Sequence, residues 1–521
     1  MTGVPFAPAR ADGYGYFVPR ERRCGRNGFD IPSQRHEAAA ELIAYALNPG
    51  QRLAGEAGIQ QYGSHDALDY LDTAATFCSF ASAMKALNAR PSSPSEGLFV
   101  QRRVLLVSSA YEPFIIGGAE QSARTLALRL QDEGDDIGVL TTSPSRDDEV
   151  WGETNADNMT LYRVFMPRPY TIFDQSKVTP LGKLAFHTAD HFSRFNVDLA
   201  KRVIADFRPD IVNIHVLQGL GHNSIKAYAE AGLPVVYTLH DQALACINMS
   251  RYRGGGQCEG QCGTCRISSR IKTAAWDQTD RLSFISPSRA NLETVAGFVP
   301  QVAHRDAFAI GNPNTYPVPS RSSVQDGRIR LLFVGRLDSS KGLHIAIEAL
   351  VPLAETHRVE LHIMGTGPDA EELRSRFGGL DWLTFHGFVS TDEVGQGMVD
   401  ADALLVPSLW QENFPGVIQH AQLAGLPVIA SRIGGLPEMV EHEVDGLLVE
   451  PGDVQQWRAA IAGLLIHPGK LAALTDNARE RVVGRRPEAL ARKIEAVFSL
   501  TGDRTADNAR ARVENDRVYP A

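Results

Sequence analysis

Residues 103–109 read RVLLVSS, and the stretch that follows reads AYEPFIIGGAEQSARTLALRLQDEG. A short apolar, β-branched run without alternation is a strand buried on both faces, the signature of a parallel sheet. Glycines 117 and 118 then open an amphipathic helix that stops at Gly134. The same order returns in DIGVLTTS, PDIVNIHV (209–216), LPVVYTLHD (233–241) and LSFISPSRA (282–290). A Pro/Ser-rich segment at 313–328 reads as a linker. Beyond it come IRLLFVGRLDSSKGLHIAIEAL, VELHIMGTGPDAEELRSRF, LTFHGFV, ADALLVPS and LPVIASRIGG. Parallel strands need crossover connections, so the alternation restricts the chain to α/β sheets with helices on both faces. Two runs predict two α/β domains in tandem, with ligands in the cleft at the carboxyl ends of the strands.

The boundaries follow from texture. Residues 1–97 predict a small helical extension, with Ser33 and Ser64 as N-caps and the linker RPSSPSEG at its end. Residues 98–318 form the first α/β domain, 319–485 the second, and 486–521 a C-terminal helix and tail. A chain of 521 residues exceeds one hydrophobic core. Its net charge of −9 argues against a nucleic-acid partner. Residues 161–305 nevertheless hold 17 Lys+Arg against 11 Asp+Glu, a local +6 that suits an anionic partner or peripheral membrane contact. No apolar run reaches the roughly 18–20 residues that span a bilayer, and the first residues lack an apolar signal core. The expectation is a cytoplasmic protein, with contact to the inner membrane face.

Three local features carry chemistry. FVGRLDSSKG (333–342) puts Arg336 and Lys341 between a strand and a helix start, where cations and free backbone N–H groups converge on phosphates. GGAE (117–120) is a glycine turn whose backbone can approach a ligand closely. TLHD (238–241) places His240 and Asp241 at a strand's carboxyl end, facing the cleft.

In order along 103–485, GGAE, LHD, SPS, GRLDSSKG, IMGTGP, FHGFV, PSLWQENFPGVIQHAQLAGLPVIAS, GGLPE and DGLLVEPGD resemble the family 4 glycosyltransferases. The resemblance implies the GT-B fold, two Rossmann-like domains facing a central cleft. It implies a retaining transferase, with a nucleotide-sugar donor (a UDP- or GDP-sugar) on the second domain. A saccharide, lipid-linked or small-molecule acceptor lies on the first. Arg336 and Lys341 would hold the donor diphosphate and replace a divalent metal, so no catalytic metal is implied. Glu412 would contact the donor sugar, with the backbone of Asn413, Phe414, Pro415 and Gly416 against its hydroxyls and phosphate. His240 would reach the donor sugar near the reacting centre. Gly117 and Gly118 would close over the phosphates.

The chain departs from the family pattern at one position. Glu, seven residues, Glu becomes Glu412, seven residues, His420. The family's second Glu accepts hydrogen bonds from the ribose hydroxyls, and a neutral His accepts one such bond at most. Three readings stay open: His420 takes a single ribose bond, the donor is unusual, or the protein binds a nucleotide sugar without normal turnover. A GT-B phosphorylase or synthase is a further alternative.

Cys246, Cys258, Cys262 and Cys265 follow the LHD strand with spacing C-x11-C-x3-C-x2-C. Four thiolates suit tetrahedral zinc, so the expectation is a structural metal clip with no open coordination position. Unpaired or disulfide-bonded cysteines on a loop are the alternative.

Overall fold

The structure, a computed structural model, describes residues 101–174, 178–320, 327–481, 486–503 and 507–519. The helices expected within 1–97 lie outside the described residues.

The first half runs β1 (Arg103–Ser108), α1 (Gly118–Asp132), β2 (Asp136–Thr142), β3 (Val150–Thr154), β4 (Thr160–Val164), α2 (Pro180–Phe192), α3 (Arg194–Phe207) and β5 (Ile211–Val216). It continues with α4 (Ile225–Glu230), β6 (Val235–Thr238), β7 (Tyr252–Arg253), β8 (Gly256–Gln257), α5 (Gly263–Thr273), β9 (Leu282–Ser286), α6 (Arg289–Phe298) and β10 (Ala307–Ala309). The second half runs β11 (Ile329–Val334), α7 (Leu343–Ala354), β12 (Val359–Met364), α8 (Ala370–Phe377), β13 (Leu383–Gly387), α9 (Thr391–Asp400) and β14 (Ala403–Val406). Then come α10 (Gly416–Leu423), β15 (Val428–Ser431), α11 (Leu436–Met439), β16 (Gly446–Val449), α12 (Val454–Ile466) and α13 (Pro468–Arg481). The chain closes with α14 (Pro487–Gly502), α15 (Asp507–Val513) and β17 (Arg517–Tyr519).

The second sheet has the order β13-β12-β11-β14-β15-β16, all parallel. In sequence terms this is 3-2-1-4-5-6, the doubly wound order. The first sheet, β17-β10-β9-β6-β5-β1-β2-β4-β3, has the same parallel centre, with β3 and β17 added antiparallel at its two edges. In register, Val104 lies beside both Ile137 and Ile211. All three are buried, as expected of strands covered on both faces.

The helices form because their apolar residues recur at three- and four-residue spacing. In α1, Ala123, Leu126, Ala127 and Leu130 are buried on one face against Val104 and Leu106. Shortening one such side chain, Leu126→Ala, costs about 2–5 kcal/mol. α14 returns to the first half: Leu490, Ile494, Val497 and Phe498 share that cluster. β17 then pairs with β10, Ala307 opposite Tyr519.

Each sheet reverses its strand order once, between β1 and β5 and between β11 and β14. The loops after β1, β11 and β14 are those of GGAE, GRLDSSKG and QENFPG. The doubly wound topology therefore brings these sequence-distant motifs to the switch points.

Candidate functional site

The second-half pole is built from the loops after β11 and β14. Asp338 caps the short turn Ser339–Lys341, its Oδ1 accepting from Ser340 N at 3.1 Å. Leu409 N donates to Ser340 O at 2.7 Å, which joins the two loops. Gly342 has φ +65°, and a Cβ there would lie 2.0 Å from the Pro407 carbonyl oxygen, so the approach requires glycine. The junction carries Lys341 onto Glu412, Nζ to Oε1 2.6 Å. The same oxygen accepts from Ser408 Oγ at 2.8 Å and Trp410 Nε1 at 2.9 Å. Lys341 Nζ also stands 5.0 Å over the Trp410 ring. Glu412 is 6% exposed, so this carboxylate is fixed by three donors on one oxygen. Its backbone is held as well. Gly435 N donates to Glu412 O at 2.8 Å, and Gly434, at φ +57°, has room for no Cβ beside that oxygen. Arg336 lies on the same loop with its side chain 70% exposed, 3.4 Å from Asp338 Oδ2. It is free to swing toward an anion, whereas Lys341 must leave Glu412 to do so.

Asn413 ties the two halves together. Its Nδ2 donates to Leu239 O at 3.0 Å and to His240 O at 2.9 Å, and its Oδ1 accepts from Ser288 Oγ at 2.6 Å. Glu438 of GGLPE accepts from Arg289 N at 2.8 Å and Ala290 N at 2.7 Å, a carboxylate on the N-terminus of α6. Phe414 packs against Gly311, and Gly416 opens α10 against the Tyr316 hydroxyl.

His420, on α10, is buried. Its Nε2 lies 2.8 Å from Pro317 O, and its ring stacks on Tyr316 at 4.6 Å with an interplanar angle of 11°. A carbonyl can only accept, so Nε2 carries the proton and Nδ1 keeps the lone pair. Burial lowers the pKa of His420 below the ordinary value, and the Pro317 hydrogen bond offsets part of that.

The first-half pole has another character. Gly117 is the N-cap of α1, its N–H donating to Glu120 Oε2 at 2.9 Å, and both glycines of GGAE are exposed. Beyond β6, His240 Nε2 lies 2.8 Å from His215 Nδ1, and Asp241 Oδ1 accepts from Ala243 N at 2.7 Å. Behind them lies a small cavity of about 30 Å³, with His187, Asp190, His191, His222 and Lys272 in its wall. Arg168 pairs with Asp190 at 3.4 Å, both buried. Burial still raises Asp190 against the pull of Arg168 and Lys272. Burial pushes His240 down to about 4, and burial together with the Lys272 charge lowers His191 and His222. These imidazoles are neutral near pH 7.

The sequence motifs thus meet: Asn413 bonds the His240 carbonyl, and Glu412, its neighbour in the chain, holds Lys341. His215, Lys272, Ser408 and Trp410 escaped the sequence reading. His215 alone had a usable signal, its place at the carboxyl end of an apolar strand.

The four cysteines of the expected zinc clip differ in their placement. Cys246 and Cys265 approach, Sγ to Sγ 3.9 Å. The Cys258 backbone is held by Arg251, its N–H on Arg251 O at 2.7 Å and its carbonyl on the Arg251 side chain. Cys262 is exposed, and no group of three or more His, Cys, Asp or Glu among the described residues is arranged to hold a metal ion.

Residues 116–256 match the model of Glycosyltransferase Family 4, and residues 328–467 that of Glycosyl transferases group 1. The chain is similar to a glycogen synthase of Mycobacterium tuberculosis, 27% identical over 398 residues, 73% of this chain and 90% of that one. Among solved structures, it resembles Anabaena HepE in complex with UDP and glucose, with a TM-score of 0.53 and 20% identity over 77% of this chain and 100% of that one. It also resembles sucrose-phosphate synthase from Thermosynechococcus elongatus, with a TM-score of 0.59 and 20% identity over 77% and 98%. These structural likenesses show the two-domain GT-B fold.

Proposed function

The chain belongs to the family 4 glycosyltransferases, and on that premise we propose that it is a retaining transferase using a UDP- or GDP-sugar. The acceptor is a saccharide, lipid-linked or small molecule bound by the first half. The observation that carries this reading is the Lys341–Glu412 contact, beside the exposed Arg336, at the switch point of the second sheet. A nucleoside diphosphate group entering there offers Lys341 a more highly charged partner than Glu412. Arg336 joins it on the phosphates, and Glu412 Oε2, which makes no hydrogen bond to the described residues, accepts from hydroxyls of the donor sugar.

The bond between the anomeric carbon and the diphosphate oxygen then breaks, and negative charge grows on the leaving group. The two cations, drawn onto the phosphates, stabilise that charge. The acceptor oxygen bonds to the anomeric carbon on the same face. Its proton passes to the leaving phosphate oxygen, so the products are the glycoside and a nucleoside diphosphate. His420 presents Nδ1 as a single acceptor for one ribose hydroxyl, in place of a carboxylate that takes two.

Peripheral contact with an anionic membrane is part of the proposal, supported by exposed apolar side chains of the first half. Leu181 and Leu184 on α2 and Ile267 on α5 are 76%, 63% and 61% exposed, beside Lys183, Arg266 and Arg270. No helix among the described residues is long and apolar enough to cross a membrane.

A thermal-shift panel of nucleotide sugars, followed by assay of released nucleoside diphosphate with saccharide acceptors, tests the reading. One base should raise the melting temperature and support turnover. A flat panel, with no nucleoside diphosphate released from any donor, contradicts it.

A further inference from the structure

His215, one residue before the end of β5, is buried at 4% exposure and has no part in the transfer chemistry above. It stacks on His240 at 17°, centroids 5.1 Å apart, with Nδ1 2.8 Å from His240 Nε2. One of these nitrogens must carry the shared proton and the other the lone pair. The remaining nitrogen of His215, Nε2, is buried without a hydrogen-bond partner. If His240 donated, His215 Nε2 would hold a buried N–H with nowhere to go. If His215 donates, Nε2 is a bare lone pair. Buried orphan donors are rarer than buried orphan acceptors, so the second arrangement is favoured. His240 Nδ1 must then carry its ring's proton, and that nitrogen makes no hydrogen bond to the described residues.

We propose that His215 is a positioning residue that donates Nδ1–H to His240 Nε2, fixing His240 as the Nδ1–H tautomer and aiming one neutral donor at a hydroxyl oxygen of the donor sugar. The inference rests on the reading of His240 as a residue at the reacting centre. The tautomer matters because a mixed ring offers a donor only part of the time. Neutrality matters because an imidazolium would repel the positive charge that develops at the anomeric carbon. Burial keeps both rings uncharged. His240 is pinned at two points, its ring by His215 and its backbone carbonyl by Asn413 of the opposite half. Such doubly held groups are what positioning to within a fraction of an ångström requires.

The test combines a spectroscopic and a kinetic readout on the full chain. With ¹⁵N-labelled imidazoles and His240 assigned through His240→Gln, wild type should show His240 Nδ1 protonated and Nε2 bare. His215→Leu should lose that pattern and lower kcat about 10–100-fold, the usual range for losing a partner that orients a site histidine. The donor KM should stay within about twofold. His215→Asn keeps an N–H near the lost Nδ1 and should restore both the tautomer and most of kcat, at a melting temperature like wild type. Nε2-protonated His240 in wild type, or an unaltered His240 pattern in His215→Leu, overturns the inference. A lost tautomer with wild-type turnover would uphold the histidine pair and sink the placement of His240 at the reacting centre.

Discussion

The two poles of the cleft solve opposite electrostatic problems. The second half offers charge: Arg336 exposed beside Asp338, Lys341 parked on Glu412. The first half offers neutrality: histidines stripped of their protons by burial and by Lys272, around a cavity whose one ammonium is committed to Ala243 O at 2.5 Å. Charge belongs where a leaving diphosphate accumulates it. Neutral donors and acceptors belong where hydroxyls must be oriented beside an incipient cation. The halves share a doubly wound topology, so the difference comes from the residues at the strand ends and not from the fold.

The most direct way to break this comparison is to remove the charge. Arg336→Ala should lower kcat at least about 10²–10³-fold, the range for losing one preorganised group on a developing charge. The Arg336 side chain is largely exposed, so the melting temperature should not move, and wild-type turnover in this variant would refute the diphosphate role. Lys341→Ala should be at least as severe and also lower the melting temperature, because Glu412 loses its cation while buried.

Next in size is the seam between the poles. Asn413→Ala leaves the carbonyls of Leu239 and His240 and the Ser288 hydroxyl without their partner, at a cost of about 1–3 kcal/mol. Turnover should fall with stability, and His240→Ala should not add its full separate effect in the double variant. Full additivity would show that Asn413 does not act through His240.

A smaller effect separates a neutral ribose contact from a charged one. Only neutral His420 has a lone pair at Nδ1. Burial lowers its pKa, so donor affinity should fall as pH drops through a midpoint below 6.5. The loss should be about 3–10-fold, one ordinary hydrogen bond. His420→Glu should abolish that step, and a pH-flat wild type would place His420 outside the nucleotide site.

The smallest expected effect is at the cysteines. A chelator should leave the melting temperature unchanged, because no group of three or more His, Cys, Asp or Glu among the described residues is arranged to hold a metal ion. Zinc near one per chain with a chelator-sensitive melting temperature would restore the metal clip.

Much of the architecture is legible in the sequence because buried parallel strands are apolar without alternation and their turns carry glycine. RVLLVSS, LPVVYTLHD and IRLLFVGR declare themselves locally. Glu412 and Lys341 were readable as individual groups, but their 2.6 Å contact was not. It depends on β11 and β14 lying adjacent, which brings together residues 71 apart in the chain. The His215–His240 pair was hidden in the same way, since only the register of β5 on β6 brings the ends of these strands together. β17, three residues long, is too short for any periodicity, and only the edge left open by β10 gives it a partner. The cysteine spacing fixes distance along the chain and not how the thiols meet, which depends on the β7–β8 hairpin and the start of α5 between them.

The central claim is that the leaving group departs onto Arg336 and Lys341 on the same face from which the acceptor enters. The stereochemistry of the first product tests it most directly. Proton NMR of the glycoside formed within the first turnovers, with the donor chosen by the thermal-shift panel, reads the anomeric configuration before it can equilibrate. The account predicts the configuration of the donor. An inverted product would contradict it.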